Sequence, residues 1–168
     1  MRPGVRIGVD VGNVRVGVAS CDPDAILATP VRTLARGSAE KPAEQADPSI
    51  HELAELVAAT GAIEVIVGLP RSLSGQEGAA AAAAREYAKL LAAEIRPVAV
   101  RLLDERLTTV DAHRALYSSG RTGRHHREVV DQVAAVMILQ GALDAERDTG
   151  REPGEVVGGR KPRHRRRG

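Results

Sequence analysis

Phenylalanine and tryptophan are absent from this 168-residue chain, and its only aromatics are Tyr87 and Tyr117. Binding bases by stacking them on an aromatic platform is therefore not expected. Cysteine occurs once, as Cys21, so no intramolecular disulfide can form. A lone cysteine fits a small buried hydrophobe in a reducing compartment. No run approaches the roughly 18 consecutive apolar residues of a membrane span, and MRPGVRIGVD reads as a first strand rather than a signal peptide. A cytoplasmic protein without a membrane partner is expected. The apolar content is Ala, Val, Leu and Ile, which suits strands covered on both faces by helices.

Charge is unevenly placed. The last nine residues, RKPRHRRRG, hold six Lys or Arg and no acid. Removing those six from the net +2 leaves −4 for residues 1–159, so the basic character lies in the tail. Such a run serves as a nucleic-acid arm, a localisation signal or a solvated end. Residues 147–168 are rich in Gly, Pro and Arg and are expected to be a disordered basic tail behind a single domain over 1–146.

Along that domain, residues 5–11 and 14–20 form two β-runs around the turn signal Gly12-Asn13, which predicts a hairpin. A third run, 26–34, extends the sheet. Residues 35–48 read as an exposed loop. A helix follows from near Pro48, capped by Asp47 or Ser49 and stopped at Gly61. Residues 63–69 are a β-branched strand, 79–95 an Ala-rich helix stopped before Pro97, and 98–103 a last strand. Helices over 109–117 and 127–145 flank the basic segment SSGRTGRHHR. Three meandering strands followed by strand–helix crossovers predict a mixed α/β sheet, five-stranded, with helices on both faces.

Three acids do not suit a plain core. Asp10 sits in the first strand between Val9 and Val11. Alternation puts it on the same face as Gly8 and Gly12, where bare glycine backbone admits close approach. Asp104 and Glu105 end the last strand and point to opposite faces, so only one of them shares a face with Asp10. Asp131 interrupts the apolar helix VVDQVAAVMILQ, where a charge is costly unless paired or metal-bound; the helix dipole offers a plainer reason for it. Carboxylates gathered at one end of a sheet repel one another, and a divalent cation with oxygen ligands relieves that repulsion. No Cys/His set has zinc spacing; His125-His126 reads as polar loop.

The segments GVDVGNVRVGVAS (8–20), IVGLP (66–70), LDERLTT (103–109) and VVDQVAAVMILQGALD (129–144) together resemble the YqgF/RuvX family, the pre-16S rRNA nucleases related to Holliday-junction resolvases. RSLSGQEG at 71–78 departs from that pattern, and the loop at 35–48 and the tail lie outside it. The resemblance implies an RNase H-like fold. It further implies phosphodiester hydrolysis dependent on Mg²⁺ or Mn²⁺, and maturation of the 16S rRNA 5′ end. Asp10, Glu105 and Asp131 match the family's acidic positions, as catalytic and metal-binding residues.

An acidic centre repels phosphates, so basic groups are needed to hold pre-rRNA or branched DNA beside it. Arg106, Arg114, Arg121, Arg124 and Arg127 are the candidates, with Arg71 and Ser72 after IVGLP. A homodimer is compatible with this reading. Two rivals remain. The actin/Hsp70/sugar-kinase group shares an acid–glycine hairpin, but needs two such domains around a nucleotide. A non-catalytic nucleic-acid-binding assembly factor would use the basic segments alone, and would be indifferent to Asp10→Asn.

Overall fold

In the computed structural model, the described residues are 1–37, 47–107 and 124–158. Strand β1 (Arg6–Val11) turns into β2 (Arg15–Cys21), which leads to β3 (Ala28–Ala35). Helix α1 (Pro48–Thr60), β4 (Glu64–Leu69), α2 (Ala79–Glu94) and β5 (Ala99–Asp104) follow. A 3-10 turn at Glu105–Leu107 ends that series, and α3 (Arg124–Thr149) and β6 (Glu155–Val156) complete the described chain. The predicted helix at 109–117 and most of SSGRTGRHHR lie outside the described residues.

The sheet order is β3-β2-β1-β4-β5-β6. β1 runs antiparallel to β2 and parallel to β4, which is parallel to β5. Alternation sorts the side chains between two layers. Ile7, Val9, Val65, Val67, Val100 and Leu102 meet α1 and α2 through Leu53, Val57, Tyr87 and Leu91. Ala19, Ile66 and Leu103 meet α3 through Ala134, Ala135, Ile138, Leu139 and Leu143. Cys21 belongs to the α3 layer, where burial pushes its thiol above the usual range. Its burial in that apolar layer is that of a small hydrophobe, and its sulfur also accepts a hydrogen bond from the Arg6 amide at 3.2 Å.

Local signals explain the ends of α1. The Asp47 carboxylate accepts from the Ser49 amide at 3.0 Å, capping the first turn. Gly61, at φ 64°, closes the helix in the left-handed conformation that glycine adopts without strain.

Two expectations need correction. Among the described residues the sheet has six strands, not five, and the sixth comes from the segment read as a disordered tail. The helix continues to Thr149, the chain turns at Gly150 and Gly154 (φ 71° and 70°), and Glu155–Val156 pairs antiparallel with β5. Val157 donates its amide to Val100 O at 2.8 Å, and Glu152 pairs with Arg101. Two adjacent valines carry no periodicity, so composition alone concealed a strand that only the open edge of β5 specifies.

Truncation after Arg147 is therefore expected to cost roughly 2 kcal/mol, from a few backbone bonds at about 0.5–1.5 kcal/mol each. Thermal melting should register a loss of about 4–8 °C. Truncation after Gly158, which removes the basic run, should leave melting unchanged and weaken nucleic-acid binding only at low salt. Equal melting of both truncations would refute the docking of β6.

At the other end of the sheet from Asp10, charges are buried as a network. Arg6 and Glu64 are each 1% exposed and Glu146 is 3% exposed. Arg6 Nη2 donates to Glu146 Oε2 at 2.7 Å, and Arg2 Nε to Glu146 Oε1 at 2.7 Å. Arg101 Nε donates to Glu64 Oε2 at 3.1 Å. This clamp ties α3 to the starts of β1 and β4.

Candidate active site

The parallel strands β1, β4 and β5 end together, the position at which α/β sheets generally bind ligands. Asp10 lies one residue before the end of β1, opposite Gly17 of β2. It is buried, 6% exposed, and faces α3 rather than the valine layer. Glycines open that face. A Cβ on Gly8 would stand 2.6 Å from Leu139 Cβ, and one on Gly17 would collide with the Asp131 carbonyl oxygen. Helix α3 thus rests directly on the strand backbone, and its Asp131 is brought over the Asp10–Gly17 pair.

Glu105 comes from the other side of the same face. It opens the 3-10 turn after β5 and is 3% exposed. Its Oε1 lies 2.7 Å from where Gly68 would carry a Cβ. Val9 pairs with Val67, so Asp10 and Gly68 are the next residues along adjacent strands. The two carboxylates therefore flank one stretch of bare backbone, and neighbours engage both.

Asp104 points the opposite way, as neighbouring residues in a strand must. It accepts from the Arg106 guanidinium at 2.6 Å and lies 3.7 Å from Arg71. The hydrogen bond from Arg106 holds its carboxyl below the usual range. Glu105→Gln is expected to lower hydrolysis at least about tenfold more than Asp104→Asn, since even outer-shell losses at metal sites cost about 10–100-fold. A larger loss from Asp104→Asn in the same assay would reverse the assignment.

The third acid is placed differently. Asp131 lies near the others through its backbone, but its carboxylate accepts from Arg15 Nε at 2.9 Å. Among the described residues, no three His, Cys, Asp or Glu side chains form a group able to hold a metal ion. Arg15 takes the role of counter-ion to Asp131. Sequence reasoning passed it over, although the hairpin register made it legible: it is the first basic residue on the strand that returns beside Asp10.

Of the proposed substrate contacts, Arg71 and Arg106 meet around Asp104, with Ser72 in the adjoining loop, and Arg127 lies apart on α3. Arg71 pairs with Glu77 at 3.3 Å, and Arg106 is spent on Asp104. The Ser72 hydroxyl shapes its own loop, accepting from the Gln76 amide at 3.1 Å. Arg127 is exposed in the first turns of α3. Arg124 begins that helix, but its side chain lies outside the described residues, as do Arg114 and Arg121. No helix among the described residues is long and apolar enough to cross a membrane.

The profile of the family described as "RuvX: Holliday junction resolvase" matches residues 4–145. A protein of Kineococcus radiotolerans named "Putative pre-16S rRNA nuclease" is 53% identical, over 100% of this chain and 88% of its own. One of the same name from Streptomyces coelicolor is 54% identical, over 94% and 90%. Among solved structures, T. thermophilus RuvC in complex with a Holliday junction substrate superposes with a TM-score of 0.51 at 18% identity, covering 87% of this chain and 97% of that one. The likeness identifies the fold as RNase H-like, as the sequence motifs implied. With the profile spanning all four of those motifs and relatives above half identity along nearly the whole chain, this protein belongs to the RuvX family.

Proposed function

We propose that the protein is a metal-dependent endonuclease that hydrolyses phosphodiester bonds, acting on the 5′ end of pre-16S rRNA. The observation that carries this reading is the burial of Asp10 and Glu105 on one glycine-lined face, at the carboxyl ends of β1 and β5 on either side of β4. The names of the relatives support the RNA substrate. The family's description as junction resolvases supports a second substrate, the four-way DNA junction, with the same chemistry.

The donor set fits Mg²⁺ or Mn²⁺: buried carboxylate oxygens without Cys or His. Asp10 and Glu105 would hold the cation, and Asp131 would join them on leaving Arg15. A divalent cation, when bound, supplies charge for the scissile phosphate and lowers the pKa of an attacking water. The chain's own residues do the rest. The glycines at 8, 17 and 68 keep Cβ atoms away, so the carboxylates stay close to the sheet. Helix α3 covers the site and limits water. Basic side chains offset the repulsion between the acids and the incoming backbone.

The test is the purified full chain on a pre-16S rRNA fragment and on a four-way DNA junction, with Asp10→Asn as control. Cleavage of the RNA, lost in the variant while binding persists, is the expected result. Cleavage of the junction alone would move the substrate to DNA. Binding without cleavage of either, equal in both proteins, would leave an assembly factor.

A further inference from the structure

Beside the acidic site lies a second, basic feature. A cavity of about 540 Å³ opens where β2 begins, β3 ends and α3 starts. Arg15, Arg36 and Arg127 line it, with Thr33 and a single acid, Glu128. Three guanidinium groups face it beside the Glu128 carboxylate, while Asp131 and Asp47 engage Arg15 and Arg36 from its walls, so what it offers a ligand is guanidinium donors rather than a net positive charge.

Its walls are built rather than incidental. Arg36 is held on three sides: its Nε donates to Asp47 at 2.8 Å, its Nη1 to the Gly12 carbonyl at 3.0 Å, and its guanidinium carbon stands 5.1 Å from the Tyr87 ring centre. Arg15 is held through Nε by Asp131. Thr33 ties β3 to α3, donating to the Glu128 carbonyl at 3.0 Å and accepting from Gln132 at 3.2 Å. A guanidinium carries five N–H donors. Asp131 engages one donor of Arg15, and Asp47 and Gly12 engage two of Arg36. Among the described residues, each guanidinium therefore keeps further donors in the forked arrangement that suits phosphate oxygens.

We infer that this cavity binds a backbone phosphate of the substrate strand, next to the one that is cleaved. Arg15, Arg36 and Arg127 are its ligands. The inference deepens the nuclease reading and rests on it for the identity of the strand. Position favours a nucleic-acid strand over a free anion. The cavity shares Arg15 with Asp131, so it abuts the acidic centre, and a strand crossing that centre must have its neighbouring phosphates neutralised. Because Arg15 serves both sides, a phosphate in the cavity draws on the guanidinium that holds Asp131.

The experiment is binding of fluorescent single-stranded RNA and DNA of equal length by the full chain in EDTA, which stops metal-dependent cleavage, across a salt series. Arg127→Gln and Arg15→Gln are each expected to weaken binding roughly five- to tenfold at low salt and to reduce the slope of log K against log salt by about one. Arg85→Gln removes the same charge from a surface pair with Glu77 and Glu155, away from the cavity, and should leave the slope unchanged. Circular dichroism confirms that each variant is folded.

Unchanged slopes in both cavity variants would overturn the inference, as would an equal drop in Arg85→Gln or no binding by the wild type. RNA or DNA alone showing the effect identifies the source of the phosphate and upholds the site. The two readings fail separately. Restoring Mg²⁺ without any cleavage would sink the nuclease while cavity-dependent slopes stood. Cleavage with unchanged slopes would sink only the cavity.

Discussion

Asp10→Asn is expected to abolish most hydrolysis, by roughly a hundredfold or more, and to leave the fold intact. The size of the effect follows from the role assigned to the residue. Losses in the outer shell of metal sites already cost about 10–100-fold, and the proposed role puts Asp10 in contact with the cation. Folding should survive because asparagine has the same shape and the position packs beneath α3 among glycines. Thermal melting within a few degrees of wild type, unaltered binding in EDTA and a collapsed single-turnover rate make up the expected pattern. A rate near wild type would remove Asp10 from the chemistry. A protein that fails to fold would make Asp10 a structural residue.

The second large effect is on stability, at the opposite end of the sheet. Glu146→Ala is expected to destabilise the protein by about 3 kcal/mol, the lower end of the cost of breaking a buried ion pair. Arg6 would lose the carboxylate that accepts from its Nη2, yet remain 1% exposed. The effect stays at the low end because Glu64 still lies 3.7 Å from Arg6 Nε. At roughly 2–4 °C per kcal/mol, melting should fall by about 6–12 °C. Glu146→Gln keeps the size and an acceptor, and should recover part of the loss. Below the melting range, cleavage should be unaffected, because this clamp lies away from Asp10. A melting point unchanged in Glu146→Ala would show that the network contributes nothing.

These two ends differ in how far the sequence disclosed them. Period-two alternation placed Asp10 with Gly8 and separated Asp104 from Glu105, because a strand's side chains must alternate. The valine runs and the turn at Gly12-Asn13 marked β1, β2 and β4. Helix caps at Asp47 and Gly61 were equally local signals. What depended on distant partners stayed hidden. The pairing of Arg15 with Asp131 spans 116 residues, and the Arg6–Glu146 bond spans 140. β6 has no pattern of its own and exists because β5 offers it an edge. The arginine-lined cavity joins β2, β3 and α3, so no single segment announces it.

The approach of α3 shows the middle case. The bare backbone at Gly8 suggested close approach, whereas Gly17, Ala134 and Ala135 are set against that face by the tertiary fold. Only the structure shows that they meet one another. That meeting brings Asp131 to the acidic face by its backbone while its carboxylate remains with Arg15. Burial and register thus place two of the acids, and the third would join them through a rearrangement shared with substrate and cation.

Metal dependence is decided by withdrawing the metal and returning it. A labelled pre-16S rRNA fragment is bound to the wild-type chain in EDTA, the product is followed, and excess Mg²⁺ or Mn²⁺ is then added to the same sample. A stable complex with no product before the addition, and cleavage at a defined site after it, is the expected result. Cleavage that proceeds undiminished in EDTA, or a complex that stays intact with either metal, would contradict the metal-dependent nuclease.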